Sequence, residues 1–415
     1  MSAPAPAVVE EKPTVGSIGR DYLDKLRGGD VGSLPAVLGL VALVIVFSVL
    51  RPETFTSELN FANLIGQSAA VMVLAMGLIF VLLLGEIDLS AGFTGGVSAA
   101  MLGLTLTEHG WPLVPSLAIG ILTGTFIGFC IGQMVARIGI PSFVVTLALF
   151  LALQGVMLQI IGEGGTIGLR NEFVVNLNNG SMPIWAGWTL GVLVILGYAL
   201  STLLRIRGRR ARGLVAEPML LWVIKSGAFA VAVVAVVGYL SRERSPNPAL
   251  KSLKGVPNVV VILVILVVVL GYVLARTSWG KHVYAIGGNA EAARRSGINV
   301  AWVKITCFMM CSTIAALAGF LAASRTNSVS PNTGGSDTLL LAVGAAVIGG
   351  TSLFGGKGRI TDAVIGGLVV AVIGNGMVLL DQPSSVVYMV TGGVLLLAAS
   401  VDAISRRRAA ASGRA

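Results

Sequence analysis

Charged residues are scarce in this chain of 415 residues. Asp, Glu, Lys and Arg make up 12% of the sequence, whereas soluble globular domains carry roughly 25%. Hydrophobic residues reach 55%, and the mean hydropathy is +0.89. The composition therefore excludes a water-soluble globular protein and predicts that most of the chain lies in lipid.

Cysteine and histidine are also rare, with three and two residues respectively. Cys130, Cys307 and Cys311 all fall inside apolar runs, and no His cluster accompanies them. This pattern favours small apolar packing residues over a metal site. His109 and His282 have no partners at ligand or triad spacing, and the common hydrolase motifs are missing. A membrane-embedded enzyme needs a catalytic cluster, so the scattered charges argue against one.

Twelve apolar runs approach the roughly 17–25 residues that a membrane span requires. They predict an all-α, polytopic transmembrane helical bundle of about 12 spans. The third and tenth runs are short and rich in Gly and Ala, as in broken or re-entrant helices. The runs are residues 34–50, 61–84, 90–106, 112–138, 143–161, 184–204, 218–240, 257–275, 301–321, 338–350, 360–380 and 386–401.

The first 30 residues are polar and lack the apolar core of a signal peptide. We expect a cytoplasmic tail with a short amphipathic piece at residues 18–26. With twelve spans, 21 Lys and Arg fall on the cytoplasmic side and 7 outside. This bias predicts that both termini are cytoplasmic. The net charge of +10 is then a topology signal that suits anionic lipid headgroups, and it does not indicate nucleic acid binding.

Two carboxylates interrupt the apolar pattern at residues 85–92, Gly-Glu-Ile-Asp-Leu-Ser-Ala-Gly. Glu86 and Asp88 follow an unbroken apolar run, and a carboxylate in hydrocarbon is costly. One interpretation is a solvated cytoplasmic turn. The other is a broken helix, with Gly85, Glu86, Asp88 and Ser90 shaping a translocation path or touching a cytoplasmic partner. Asp88 is also a candidate cap for a helix that begins at Leu89 or Ser90.

A second glycine-rich break lies at residues 349–359. It superficially resembles a phosphate-binding loop, but Gly358 follows Lys357 where that motif requires Ser or Thr. We therefore predict a tight interhelical turn at the cytoplasmic face. The two breaks occupy similar places relative to their apolar runs, which hints at two related halves.

A polar segment at residues 276–300 separates two long apolar runs. Gly287 and Gly288 are predicted to break the chain, Asn289 to cap a short helix, and Gly297 to end it. Such a helix suits insertion into a groove on a soluble motor protein; the alternative is an ordinary helix on the membrane surface. The candidate coupling residues are Gly288, Asn289, Ala290, Glu291, Ala292, Ala293, Arg294, Arg295, Ser296 and Gly297.

Other polar residues inside the spans leave alternatives open. Lys225 lies near the cytoplasmic end of its span, which favours snorkelling over a proton-relay role. A further set has two interpretations, hydrogen bonding to a neutral polyol or joining of helices. This set comprises Gln67, Ser68, Gln133, Gln154, Gln159 and Asn375.

The three motifs at residues 85–92, 287–300 and 349–360, in this order, resemble the permease subunits of bacterial ABC importers for monosaccharides. This is the ribose, xylose, arabinose and galactose group, and the resemblance extends from about Asn60 to Asp402. It implies a fold like that of type II ABC importers. The two extra runs at residues 184–240, joined by a basic loop, resemble the xylose-type members.

The resemblance implies a domain order and a set of partners. Residues 1–33 form a cytoplasmic tail, residues 34–402 the permease domain with its coupling segment at 276–300, and residues 403–415 a basic cytoplasmic tail. We expect the chain to carry xylose or a related pentose across the cytoplasmic membrane. A cytoplasmic ATP-binding subunit holds ATP and Mg²⁺, so that this chain has no cofactor and is not itself an enzyme. An extracytoplasmic sugar-binding protein and a second permease copy complete the complex. The alternative is an ion-coupled secondary sugar transporter.

Overall fold

The computed structural model describes residues 32–245, 247–248 and 252–411. Each of the twelve predicted runs forms a helix, and shorter elements lie between them. The helices are α1 (Leu34–Leu50), α2 (Pro52–Phe55), α3 (Glu58–Leu83), α4 (Ala91–Gly103), α5 (Leu113–Gln133), α6 (Ser142–Ile161), α7 (Glu172–Asn179), α8 (Ile184–Ala211), α9 (Met219–Leu240), α10 (Val259–Arg276), α11 (Ser278–Gly288), α12 (Ala290–Arg295), α13 (Val300–Thr326), α14 (Ser336–Gly349), α15 (Ile360–Leu379) and α16 (Ser384–Ala411). Two short strands, β1 (Ile167–Gly168) and β2 (Ser328–Val329), pair antiparallel.

In the part of the chain that the structure describes, eight helices are long and apolar enough to cross a membrane. They are α3, α5 with its π-helical extension Met134–Ile138, α6, α8, α9, α10, α13 and α15. Helices α1 and α14 and the first part of α16 are shorter apolar helices. The tenth run is short as predicted, since α14 has 14 residues. The third run is less short: α4 has 13 residues but continues directly into a π-helical turn at Leu104–Glu108.

Helices α3, α4 and α13 form the centre of the bundle. Small residues allow their backbones to approach closely. A Cβ atom at Gly319 of α13 would collide with the carbonyl oxygen of Gly95 in α4, and one at Gly95 would lie 2.5 Å from the Ala315 oxygen. Glycine at these positions therefore fixes how closely α4 packs against α13.

The connections between helices sort into two opposite faces. The strand face holds the β1–β2 pair, the Asn60–Asn375 hydrogen bonds and the Arg242–Glu58 ion pair at 3.3 Å. The glycine-loop face holds the breaks at residues 84–90 and 350–359 and the segment 277–299. Successive long helices run from one face to the other, which is the alternation that the sequence predicts for spans.

Helices α8 and α9 form a peripheral hairpin at the predicted insertion. Trp222 Nε1 donates to the Ala199 oxygen at 3.1 Å, and the rings of Tyr198 and Phe229 lie 4.5 Å apart. Few residues of α9 are buried inside the protein, whereas most residues of α3 are buried. The hairpin meets the bundle near the strand face, where the Tyr239 ring packs edge-on against Phe61 at 5.5 Å.

The last predicted span is longer than expected. The sequence places it at residues 386–401, followed by a basic tail at 403–415, but α16 continues from Ser384 to Ala411. Residues 403–411 of the predicted tail are therefore helical, because good helix formers such as Ala and Arg follow the apolar part without a Gly or Pro stop. The predicted amphipathic piece at residues 18–26 lies outside the described residues.

Candidate functional site

The predicted coupling segment folds into two helices on the glycine-loop face. Helix α11 begins after Thr277, whose Oγ1 accepts a hydrogen bond from the Gly280 amide at 3.0 Å. Helix α12 begins after Asn289, whose Oδ1 accepts from the Ala292 amide at 2.9 Å. A capping side chain satisfies an amide that the first helical turn leaves without a partner. The predicted N-cap at Asn289 is confirmed.

The chain break lies one residue later than predicted. Gly287 and Gly288 both belong to the last turn of α11, and the backbone leaves the helix at Asn289, where φ is −159°. The reason is close packing: a Cβ atom at Gly287 would collide with the Leu83 carbonyl oxygen at the end of α3. Gly287 therefore permits contact between helices and is not required for a turn.

The end of α12 follows the predicted pattern. Ser296 is the C-cap, and Gly297 adopts φ +87°, a left-handed conformation that glycine reaches without steric cost. Two residues later, Asn299 caps α13 by accepting from the Trp302 amide at 3.0 Å. The segment is therefore well defined at both ends and leads directly into the central helix α13.

Helix α12 presents a charged surface away from the bundle. Ala293 is buried and holds the helix on the bundle, whereas the Glu291, Arg294 and Arg295 side chains are exposed. Glu291 lies 3.6 Å from Arg294 and 3.2 Å from Arg295. Exposed pairs of this kind add little stability, so these charges remain available to a complementary surface.

The break between α3 and α4 is buried rather than solvated. Asp88 has no exposed surface, and its Oδ1 accepts from the Ser90 amide at 2.9 Å and from the Ser90 hydroxyl at 2.6 Å. The solvated-turn interpretation is therefore wrong for Asp88, because its carboxylate closes a local turn inside the protein. The predicted helix start at Leu89 or Ser90 is one or two residues too early: α4 begins at Ala91 with Ser90 as the N-cap.

Glu86 takes part in an ion pair that sequence reasoning missed. Its carboxylate pairs with the Lys304 ammonium group in the second turn of α13. The two side chains are only 17% and 23% exposed. The sequence places both residues at the cytoplasmic side, but their separation of 218 positions leaves no local pattern from which to predict the contact.

The second glycine-rich segment is the tight interhelical turn that the sequence predicts. The Ser352 amide donates to the Lys357 oxygen at 2.8 Å, which closes the turn. Thr351 Oγ1 donates to Asp362 at 3.1 Å and thereby ties the turn to α15. The Gly356 amide donates to the Leu83 oxygen at 2.9 Å. The turn therefore contacts the same end of α3 as Gly287.

The structure indicates roles for two polar residues, Asn375 and Lys225, that the sequence leaves open. Asn375 exchanges hydrogen bonds of 2.9 Å with Asn60 and lies 3.5 Å from Gln67, so it joins α15 to α3. Lys225 Nζ lies 3.0 Å from the Glu217 carboxylate just before α9, which confirms snorkelling toward the end of its helix. In the described ranges, no three His, Cys, Asp or Glu side chains cluster as metal ligands would.

The fold and this segment define a polytopic helical membrane protein with a short capped helix on one face. Residues 60–399 match the family described as the permease component of the branched-chain amino acid transport system. The chain belongs to this family, and the resemblance seen in its motifs is confirmed. It is a membrane permease component with several helices able to span a bilayer.

Similar relatives cover nearly the whole chain. The xylose transport system permease protein XylH of Haemophilus influenzae is 34% identical over 384 residues, which cover 92% of this chain and 99% of the relative. XylH of Escherichia coli is 32% identical over 372 residues, covering 90% and 92%. The ribose import permease protein RbsC of Escherichia coli is 30% identical over 388 residues, covering 92% and 97%. No solved structure matches the chain.

Proposed function

We propose that this chain is the transmembrane subunit of an ABC importer that carries a monosaccharide, xylose or a related pentose, across the cytoplasmic membrane. The observation that carries the proposal is its similarity to two xylose permeases over at least nine-tenths of its length. The α8–α9 hairpin at the predicted insertion supports the same choice of sugar.

The position of helix α12 identifies the face that meets the ATP-binding subunit in this proposal. Gly288–Gly297 are the coupling residues in this proposal, because the exposed charges of Glu291, Arg294 and Arg295 stand on a short capped helix outside the apolar bundle. The glycine-loop face is then cytoplasmic, both termini lie on that side, and the strand face receives a sugar-binding protein. A second copy of the permease completes the pore.

The energy for transport comes from outside this chain in this proposal. ATP and Mg²⁺ belong to the partner subunit, and the permease makes and breaks no covalent bond. A ligand shifts a conformational equilibrium only by its difference in affinity for the two states. ATP binding that favours one arrangement of the partner therefore moves α12, and α12 biases the permease toward one orientation of its pore.

One observation favours the ion-coupled alternative. Asp88 is fully buried, and within the described residues its Oδ2 atom has no hydrogen-bond partner. Buried carboxylates in membrane helices mark proton or cation pathways in many transporters. By contrast, Lys225 lies at the edge of the hairpin with Glu217 as its partner.

The ABC importer and the ion-coupled transporter differ in their energy source, so an uptake experiment can distinguish them. Cells that express the tagged chain are supplied with labelled xylose and treated either with ionophores that collapse ion gradients or with a nucleotide-binding variant of the co-purifying ATPase. The proposal predicts that uptake survives the ionophores and is lost with the ATPase variant. Uptake that is lost with the ionophores and survives without the ATPase contradicts it and supports ion coupling through Asp88.

A further inference from the structure

Three chain segments that are remote in sequence meet at the end of α3. The Leu83 oxygen accepts a hydrogen bond from the Gly356 amide at 2.9 Å. A Cβ atom at Gly287 would collide with the same oxygen, and one at Gly355 would lie 2.9 Å from the Gly287 oxygen. The coupling segment is therefore in backbone contact with the last residue of α3 and with the second glycine-rich break. Backbone contacts without intervening side chains leave little room for sliding.

A second link connects the same region through side chains. Glu86, two residues beyond Leu84, pairs with Lys304, four residues after the start of α13 at Val300. Both side chains are mostly buried. When one member of such a pair is removed, the other is left as an uncompensated charge in a region of low dielectric. The pair therefore opposes separation of the break from the base of α13.

Open space lies beside this ion pair. A cavity of about 510 Å³ is walled by α12, by the turn between α5 and α6, and by the ion pair itself. Arg294 of α12, Pro141 of the turn, Glu86 and Lys304 are all in its lining. A movement of α12 toward the turn therefore has room to occur beside the ion pair.

A movement of α12 that displaces the break would be passed on to helix α4. Twelve of its thirteen residues are buried, and the break that contains Glu86 leads into it. A Cβ atom at Gly96 would collide with the Thr333 oxygen, and one at Gly92 with the Gly334 oxygen. Because α4 is packed this tightly, displacement of its first turn shifts the whole helix and the segment before α14 that touches it.

We propose that Glu86 and Lys304 are positioning residues that transmit movement of the coupling segment to α4 through the break at residues 84–90. The inference rests on the proposed function and deepens it, because it names the link between the docking helix and the centre of the bundle. Neither residue touches the sugar or the ATP in this proposal.

The test compares sugar transported per ATP hydrolysed in vesicles that contain the complete complex. The variants are Glu86→Lys, Lys304→Glu and the double exchange Glu86→Lys/Lys304→Glu. Lys304→Arg and Lys304→Gln serve as milder changes where a charge reversal fails to fold. The matched control is Glu217→Lys, which reverses an ion pair on the peripheral hairpin.

The expected result is a ratio of sugar to ATP that falls about tenfold in each single reversal, since about 1.4 kcal/mol of coupling energy corresponds to that factor. The ATP-binding subunit still co-purifies and still hydrolyses ATP. The double exchange restores the ratio of the unmodified complex. Lys304→Arg keeps the positive charge and should retain the ratio, and Glu217→Lys should leave it unchanged. A purely structural role would lower sugar transport and ATP hydrolysis together and would leave their ratio intact.

A second readout does not depend on sugar. Ile87→Cys places a thiol at a partly exposed position of the break, and its rate of labelling is measured with and without a non-hydrolysable ATP analogue. The wild-type pair should show a nucleotide-dependent rate, and each single reversal should abolish the dependence. Single reversals that keep the nucleotide response and the sugar-to-ATP ratio, or a double exchange that recovers neither, overturn the inference alone. A complex with Glu86 and Lys304 intact that responds to nucleotide in neither assay overturns the proposed function as well.

Discussion

Gly287 lies against the carbonyl oxygen of Leu83 so closely that a Cβ atom at Gly287 would collide with it, whereas a Cβ atom at Gly288 would meet open space. Both glycines belong to the last turn of α11. Neighbouring residues of the same type, in the same helix, thus have opposite environments, and this difference makes them a matched pair for mutation.

Gly287→Ala should destabilise the permease by about 1–3 kcal/mol, because the added methyl group forces α11 away from α3. Gly288→Ala should be neutral or stabilise by about 0.5–1 kcal/mol, since alanine loses less entropy than glycine in a helix. Thermal unfolding of both variants in the same detergent measures the difference. Equal melting temperatures would show that α11 does not contact α3 in this way.

The proposed docking role of α12 is tested by co-purification of the ATP-binding subunit. Glu291→Arg should weaken the association by about 1–2 kcal/mol, roughly tenfold, because it reverses the one acidic charge on the exposed face. Gly297→Pro should weaken it further, since proline fixes φ near −65° and Gly297 requires +87°.

The matched control for the second change is Gly213→Pro. Gly213 also adopts a positive φ, +68°, but lies in the loop between α8 and α9. Gly213→Pro should leave the association with the ATP-binding subunit unchanged even if it distorts the hairpin. Normal binding by both coupling variants would assign the ATPase contact to another surface.

Asn375 distinguishes helix joining from sugar binding. Asn375→Leu should cost about 1–3 kcal/mol of stability, because it removes the donor to Asn60 Oδ1 in a mostly buried site, while Asn60 Nδ2 keeps the Phe55 oxygen. The double change Asn60→Leu/Asn375→Leu should be less destabilising than the sum of the two single changes. The concentration of sugar that gives half-maximal uptake should not change. A large rise in that concentration with normal melting would instead place Asn375 on the sugar path.

Glu243 makes the strand-face end of the hairpin sensitive to acid. Hydrogen bonds from Ser252 Oγ at 2.7 Å and from the amides of Leu253 and Ser245 lower the pKa of its carboxyl from 4.5 to about 2. Because the folded pKa lies below the unfolded one, the stabilisation is present above about pH 4.5 and is lost as the pH falls toward 2.

The measurement is the melting temperature between pH 6 and pH 3 for the unmodified chain and for Glu243→Gln. The difference between the two should shrink as the pH falls, because protonation removes the advantage of the carboxylate. A constant difference across this range would contradict the lowered pKa.

Local features could be predicted from the sequence with good accuracy. Apolar runs identify every long helix, because a chain in lipid must satisfy its backbone hydrogen bonds within each span. The Asn289 cap and the Gly297 stop are equally local, since one side chain or one φ value determines each. Helix α16 shows the limit, because it continues past the apolar boundary at residue 401 to Ala411.

Contacts between remote segments could not be predicted in this way. Glu86 and Lys304 are each ordinary charges near the end of a span, and only the packing of α3 beside α13 brings them together. Gly287 and Gly288 are identical in the sequence, and the approach of Leu83 distinguishes them only in the folded chain. The sequence around Asp88 is compatible with a solvated turn, and only the folded chain buries its carboxylate between α3 and α4.

Under the proposed function, this permease moves sugar only when a separate ATPase acts on α12. The most direct measurement is uptake of labelled xylose by vesicles that contain the purified chain, with and without its ATP-binding subunit and sugar-binding protein. We expect ATP-dependent accumulation by the complete complex and none by the chain alone. Accumulation against a gradient by the isolated chain would contradict this expectation.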